Sequence, residues 1–98
     1  MPRKHNTNKD GGQWTDFEKL AVWQKGKQSA NQPSNLVRID QCGDIMLWSE
    51  YGKRESDHGW EIDHINPVSN GGGDALSNLQ PLNWKNNASK GDKLNWRC

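Results

Sequence analysis

Gly59-Trp60-Glu61-Ile62-Asp63-His64-Ile65-Asn66-Pro67 is followed by Gly71-Gly72-Gly73-Asp74, then Ser77-Asn78-Leu79-Gln80-Pro81-Leu82, then Asn83-Trp84-Lys85-Asn86-Asn87-Ala88-Ser89-Lys90-Gly91-Asp92. This order predicts a strand, a glycine-rich loop, a second strand and a helix. Trp60 to Ile65 sets aromatic and β-branched residues at alternate positions and is stopped by Pro67. Leu79 to Leu82 is short enough to pair antiparallel with it. Asn83 is a good N-cap because its side chain can accept from the unpaired amides of a first helical turn, and Gly91 stands where the helix would end. On that helix Asn83, Asn87 and Lys90 share one face, while Trp84 and Ala88 share another that can pack on the strands. A polar face therefore looks back at Asp63-His64. Neighbouring side chains on an ideal strand point to opposite faces, so both can meet the helix only where the strand ends or twists, and Pro67 supplies such an ending.

Upstream, Thr15-Asp16-Phe17-Glu18 fits a capping box and is followed by Leu20, Ala21 and Val22, with Gly26 as the stop. Lys27 to Asn35 has the composition of a loop. Leu36-Val37-Arg38-Ile39 and Ile45-Met46-Leu47-Trp48 then flank the Cys42-Gly43 turn and read as a hairpin. Residues 1–13 are polar, carry Gly11-Gly12 and read as a flexible basic arm, which leaves 14–98 as the folded domain. The expected class is α+β, with an N-terminal helix and a supporting hairpin beside the strand-strand-helix unit.

Ninety-eight residues allow one domain with one core, and 31% hydrophobic residues make that core thin, so the six tryptophans are expected to fill it. No run is long and apolar enough for a membrane span, and no apolar stretch follows the basic start as a secretion signal requires. The expected location is the cytoplasm. Charge is uneven: residues 1–10 carry three basic groups and one acidic, residues 85–98 four and one, so the middle is acidic within a net +1. Basic ends suit a polyanion near a site that also needs carboxylates. Cys42 and Cys98 belong to no C-x-x-C pair, which argues against a structural zinc. Two free thiols, one half-buried and one terminal, are preferred over a single bond on grounds of compartment.

A His beside an Asp, faced by an amide oxygen, supplies a proton acceptor next to hard oxygen ligands. That is the minimum equipment for metal-assisted hydrolysis of a phosphodiester. His64 can take the proton of an attacking water, Asp63 and Asn87 can hold the cation, and Asn78 can keep the loop and the imidazole in register.

The three ordered blocks resemble the HNH nuclease family, whose ββα-metal fold carries an Asp-His pair on its first strand, a mid-loop Asn, and a His or Asn on its helix. Gly59 to Ile65, Asn78 to Leu82 and Asn87 to Asp92 carry the resemblance, over about a third of the chain. Trp23, Arg38-Ile39-Asp40, Cys42-Gly43 and Tyr51-Gly52 extend it more softly towards small free-standing members. The resemblance implies a core at about residues 59–92, His64 as general base, Asp63 and Asn87 as metal ligands, and Asn78 as the orienting residue. It also implies DNA as substrate, with products ending in a 5′ phosphate and a 3′ hydroxyl. Asn87 in place of His makes the protein side of the site all oxygen, which favours Mg²⁺ or Mn²⁺. Many relatives carry two C-x-x-C zinc pairs. Here Asn83 and Asn86 stand at the positions of the downstream pair, so the tryptophans and the N-terminal helix are expected to supply the missing support.

Lys90, Lys85, Lys93 and Arg38 are the expected nucleic-acid contacts, with Lys90 first. His5 and His58 read as tail and loop residues, and Gly71-Gly72-Gly73 as a flexible loop tip, since it lacks the Lys-Ser/Thr of a phosphate-binding loop. Glu61 stays outside the core set, as either an acid behind Asp63 or a strand residue paired with Lys or Arg. The rival readings are a non-catalytic nucleic-acid-binding or phage-packaging accessory working with a terminase, and a nuclease toxin domain held by an immunity protein. A homodimer is open.

Overall fold

The computed structural model describes residues 4–98. Helix α1, Asp16–Trp23, begins at the expected capping box: Thr15 accepts from the Glu18 amide and Glu18 returns the bond to the Thr15 amide. Strands β1 (Lys27–Gln28), β2 (Val37–Ile39) and β3 (Ile45–Leu47) form one antiparallel sheet in that order. The hairpin is the expected one, whereas β1 lies inside the stretch read as a loop. Lys27 and Gln28 are both exposed and carry no apolar alternation, so they join the sheet through backbone pairing with Ile39 and Arg38 alone.

Strand β4, Trp60–His64, pairs antiparallel with β5, Leu79–Asn83, from Trp60 opposite Asn83 to His64 opposite Leu79. Helix α2, Trp84–Lys90, follows without a break, because Asn83 caps it by accepting from the Lys85 amide. Trp23, Trp48 and Trp60 form the centre of the core with ring centroids 4.9–5.8 Å apart, joined by Val22, Met46, Ile62 and Leu79. Burying three indoles in contact compensates for the shortage of aliphatic residues.

A buried carboxylate supports the junction at which Asn83 and Asn86 stand. Asp40 is fully buried, and its Oδ1 accepts from the Cys42 and Asp44 amides at 3.0 and 2.9 Å. Its Oδ2 accepts from the Asn83 amide at 2.9 Å and from Asn86 Nδ2 at 2.8 Å. One side chain thus ties the hairpin turn to the β5–α2 junction, so the support expected from the tryptophans and the N-terminal helix is shared with a buried carboxylate.

Cys42 and Cys98 are joined as a disulfide with Cα atoms 5.4 Å apart, so the expectation of two free thiols is corrected. The chain beyond α2 turns back to the 42–43 turn, a proximity that cysteine counting does not show.

The arm expected to be flexible is docked from Lys4 onward, while residues 1–3 lie outside the described residues. Asn6 Oδ1 accepts from the Ile62 amide at 2.9 Å and from the Tyr51 hydroxyl at 3.3 Å, and Thr7 is buried. These contacts fill the open edge of β4 with a side chain that mimics backbone, which polarity alone does not predict.

Candidate active site

Strand β4 is buried at every position, polar ones included. Its alternation sends Glu61 and Asp63 to the side covered by α2, where Asn87 Nδ2 donates to Glu61 Oε1 at 2.8 Å and Lys90 Nζ lies 3.2 Å from Asp63 Oδ1. Asn87 and Lys90 are three positions apart, so successive turns of one helix face reach alternate residues of one strand. His64 ends the strand on the other side, its ring centroid 5.4 Å from that of Trp14. Asp63 and His64 do point apart, yet the strand ends there, and both line a single cavity of about 370 Å³ together with Asn87. Arg54, His5 and Asp92 also line it.

The carboxylates in this region have defined partners. Glu61 has no exposed surface and takes a two-pronged bond from Arg54, with Nε to Oε2 at 2.8 Å and Nη2 to Oε1 at 2.9 Å; His5 Nε2 is 3.5 Å from Oε2. Asp63 accepts from Gln80 Nε2 at 2.9 Å. Burial pushes its pKa above the ordinary aspartate value, against the opposing pull of the Gln80 bond and the Lys90 and His64 charges. His64 Nε2 is 2.8 Å from Asp74 Oδ1.

Asn78 holds both ends of the glycine-rich loop. Its Oδ1 accepts from the Asn66 amide at 2.8 Å, and its Nδ2 donates to the carbonyls of Asn66 and Gly73 at 3.1 and 2.9 Å. The loop tip is not the loose turn expected. Gly72 donates to the Pro67 carbonyl at 2.9 Å, and a Cβ there would lie 1.7 Å from the Asn66 oxygen. Only glycine permits that approach of two backbones.

Residues 48–93 match the family described as HNH endonuclease. This segment belongs to the HNH family. No curated protein and no solved structure matches the chain. HNH membership points to nuclease activity in general, and β4, β5 and α2 are compatible with the ββα-metal fold. The match begins at Trp48, so the arm and Trp14, which touch the HNH segment at Glu61, Ile62, His64 and Asp74, lie outside it.

The expected nucleic-acid contacts fare differently. Lys90 is buried and donates to the His64 carbonyl at 2.9 Å besides pairing with Asp63, so it is an internal strut rather than an exposed cation. Arg38 is also a strut: Nε donates to the Ser34 carbonyl at 3.0 Å, and Nη1 to those of Gln24 and Gly26 at 3.1 and 2.8 Å. Lys85 pairs with Asp57 at 3.0 Å and lines a separate depression with Asn83 and Asn86. Lys93 is exposed just beyond α2. Sequence reading missed Arg54, His5 and Asp74 and left Glu61 aside. The order Arg54, Glu61, Asp63 carries no spacing rule that would have exposed the fork, although a Glu two residues before the Asp on a buried strand was a signal that it needed a cation.

Proposed function

We propose that the chain is a divalent-metal-dependent endonuclease that hydrolyses DNA phosphodiesters with His64 as general base. The observation that carries this reading is the meeting of Asp63, His64 and Asn87 on one cavity. Among the described residues no cluster of three or more His, Cys, Asp or Glu side chains could hold a metal. The donor set is nevertheless suited to a hard cation. Asn87 spends Nδ2 on Glu61, which leaves its carbonyl oxygen, and a carboxylate such as Asp63 has about four acceptor sites, of which Gln80 and Lys90 use two.

Asp63 and Asn87 would hold Mg²⁺ or Mn²⁺, which when bound supplies Lewis-acid polarisation of a phosphoryl oxygen and stabilisation of the leaving 3′ oxygen. His64 takes the proton from the attacking water. Asn78 fixes the loop that follows β4. Arg54, held by Glu61 and about one-third exposed at its side chain, is the cation best placed to meet a phosphate in the cavity, in place of Lys90. Among the described residues, no helix is long and apolar enough to cross a membrane. The disulfide weighs against the cytoplasmic expectation, because cytosolic reductants keep such pairs open.

The test is supercoiled plasmid incubated with the purified protein, with and without Mg²⁺ or Mn²⁺. Nicking that requires the cation and is lost in a folded His64→Ala variant supports the reading; salt-sensitive binding without product assigns the chain to a binding module instead.

A further inference from the structure

Asp74 is delivered to His64 by a loop with no slack. Gly72 is pressed against the Asn66 carbonyl, Asn78 Nδ2 holds the Gly73 carbonyl at 2.9 Å, and the next residue places Oδ1 2.8 Å from His64 Nε2. The same carboxylate accepts from the Lys9 amide at 3.0 and 3.3 Å, so the N-terminal arm fixes it from outside the HNH segment. The imidazole is 3% exposed and packs against Trp14, which limits its rotation. His64 lines the cavity shared with Asp63 and Asn87, whereas Asp74 is not among its lining residues.

An ionised carboxylate only accepts hydrogen bonds, so a neutral imidazole facing it carries its proton on the facing nitrogen. The geometry points to Asp74 as a positioning residue that holds His64 as the Nε2–H tautomer and leaves Nδ1 as the proton acceptor. This rests on the nuclease reading given above. In the reaction, one O–H bond of water breaks, its proton passes to Nδ1, and the oxygen forms the new bond to phosphorus as the bond to the 3′ oxygen breaks. The 3′ oxygen takes a proton from solvent. Asp74 keeps its charge throughout and stabilises the imidazolium that forms, without receiving the proton.

Three measurements test the assignment. The first is the ¹⁵N spectrum of the His64 ring at neutral pH, identified by its loss in His64→Ala. The Nε2–H pattern is expected in the wild type and a mixture of tautomers in Asp74→Ala, with Asp74→Asn as the isosteric variant should the alanine fail to fold. The second is plasmid nicking, where losing the carboxylate should lower kcat by about 10²-fold, within the range for general-base catalysis, and leave KM for DNA unchanged. The third is the double variant with His64→Ala, which should be no slower than His64→Ala alone, because the two residues act as a unit. An Nδ1–H pattern in the wild type, an unchanged kcat in the folded variants, or a loss that adds to that of His64→Ala would overturn the role of Asp74. Absence of nicking by the wild type would sink the nuclease reading, while the ring spectrum would still decide the tautomer.

Discussion

Lys90 Nζ lies 3.2 Å from Asp63 Oδ1 and donates to the His64 carbonyl at 2.9 Å, so one buried ammonium from α2 grips both members of the Asp-His pair on β4. Both side chains are almost wholly buried, at 3% and 6% exposure. Lys90→Met leaves Asp63 without its cation in a desolvated position. The expected cost is about 3–5 kcal/mol of stability, read from the urea midpoint. A role at a phosphate would show differently, as a lower salt slope of DNA binding by about one with stability retained.

The raised pKa of Asp63 sets the sign of a pH effect. A carboxyl that holds its proton more tightly folded than unfolded adds stability at low pH. That contribution fades as pH rises from the ordinary aspartate range through the folded value. The side-chain carbon of Asp63 should titrate above ordinary aspartates by NMR. Gln80→Leu removes a bond that favours the charged form and should move the midpoint higher still. A midpoint at or below the ordinary value would contradict the burial argument.

Asp40 accepts four hydrogen bonds, two of them from the β5–α2 junction. Asp40→Ala orphans buried amides at about 1–3 kcal/mol each, so a loss of about 3 kcal/mol or more is expected in chemical unfolding. A chelator should leave the thermal midpoint unchanged, because this junction is held by hydrogen bonds to a carboxylate. Unfolding by chelator would reveal a structural metal.

Reduction of Cys42–Cys98, which are 56 positions apart, frees a long loop in the unfolded chain. Chain entropy alone predicts a loss of about 4 kcal/mol. Cys98→Ser should show the same shift in urea midpoint as dithiothreitol does on the wild type, and dithiothreitol should not shift Cys98→Ser further.

Patterns repeated over a few residues were legible in the chain. The Thr15–Glu18 box, the Asn83 cap, the strand character of Trp60–His64 and of Leu79–Asn83, and the i to i+3 face of Asn87 and Lys90 are all written in near neighbours. Their geometry follows from backbone hydrogen bonds and side-chain period, so reading them needs no knowledge of distant contacts. Partner choice was not legible. Glu61 chose Arg54, His5 and Asn87; His64 chose Asp74; Lys90 turned inward to Asp63; and the polar arm docked on β4. In sequence these are charged residues of the kind that more often face water. Which of them lose water, and which opposite charge then meets them, depends on how the strand pair, the helix and the arm enclose one volume. The energy of that choice lies in desolvation and close pairing, and neither exists until the chain has folded.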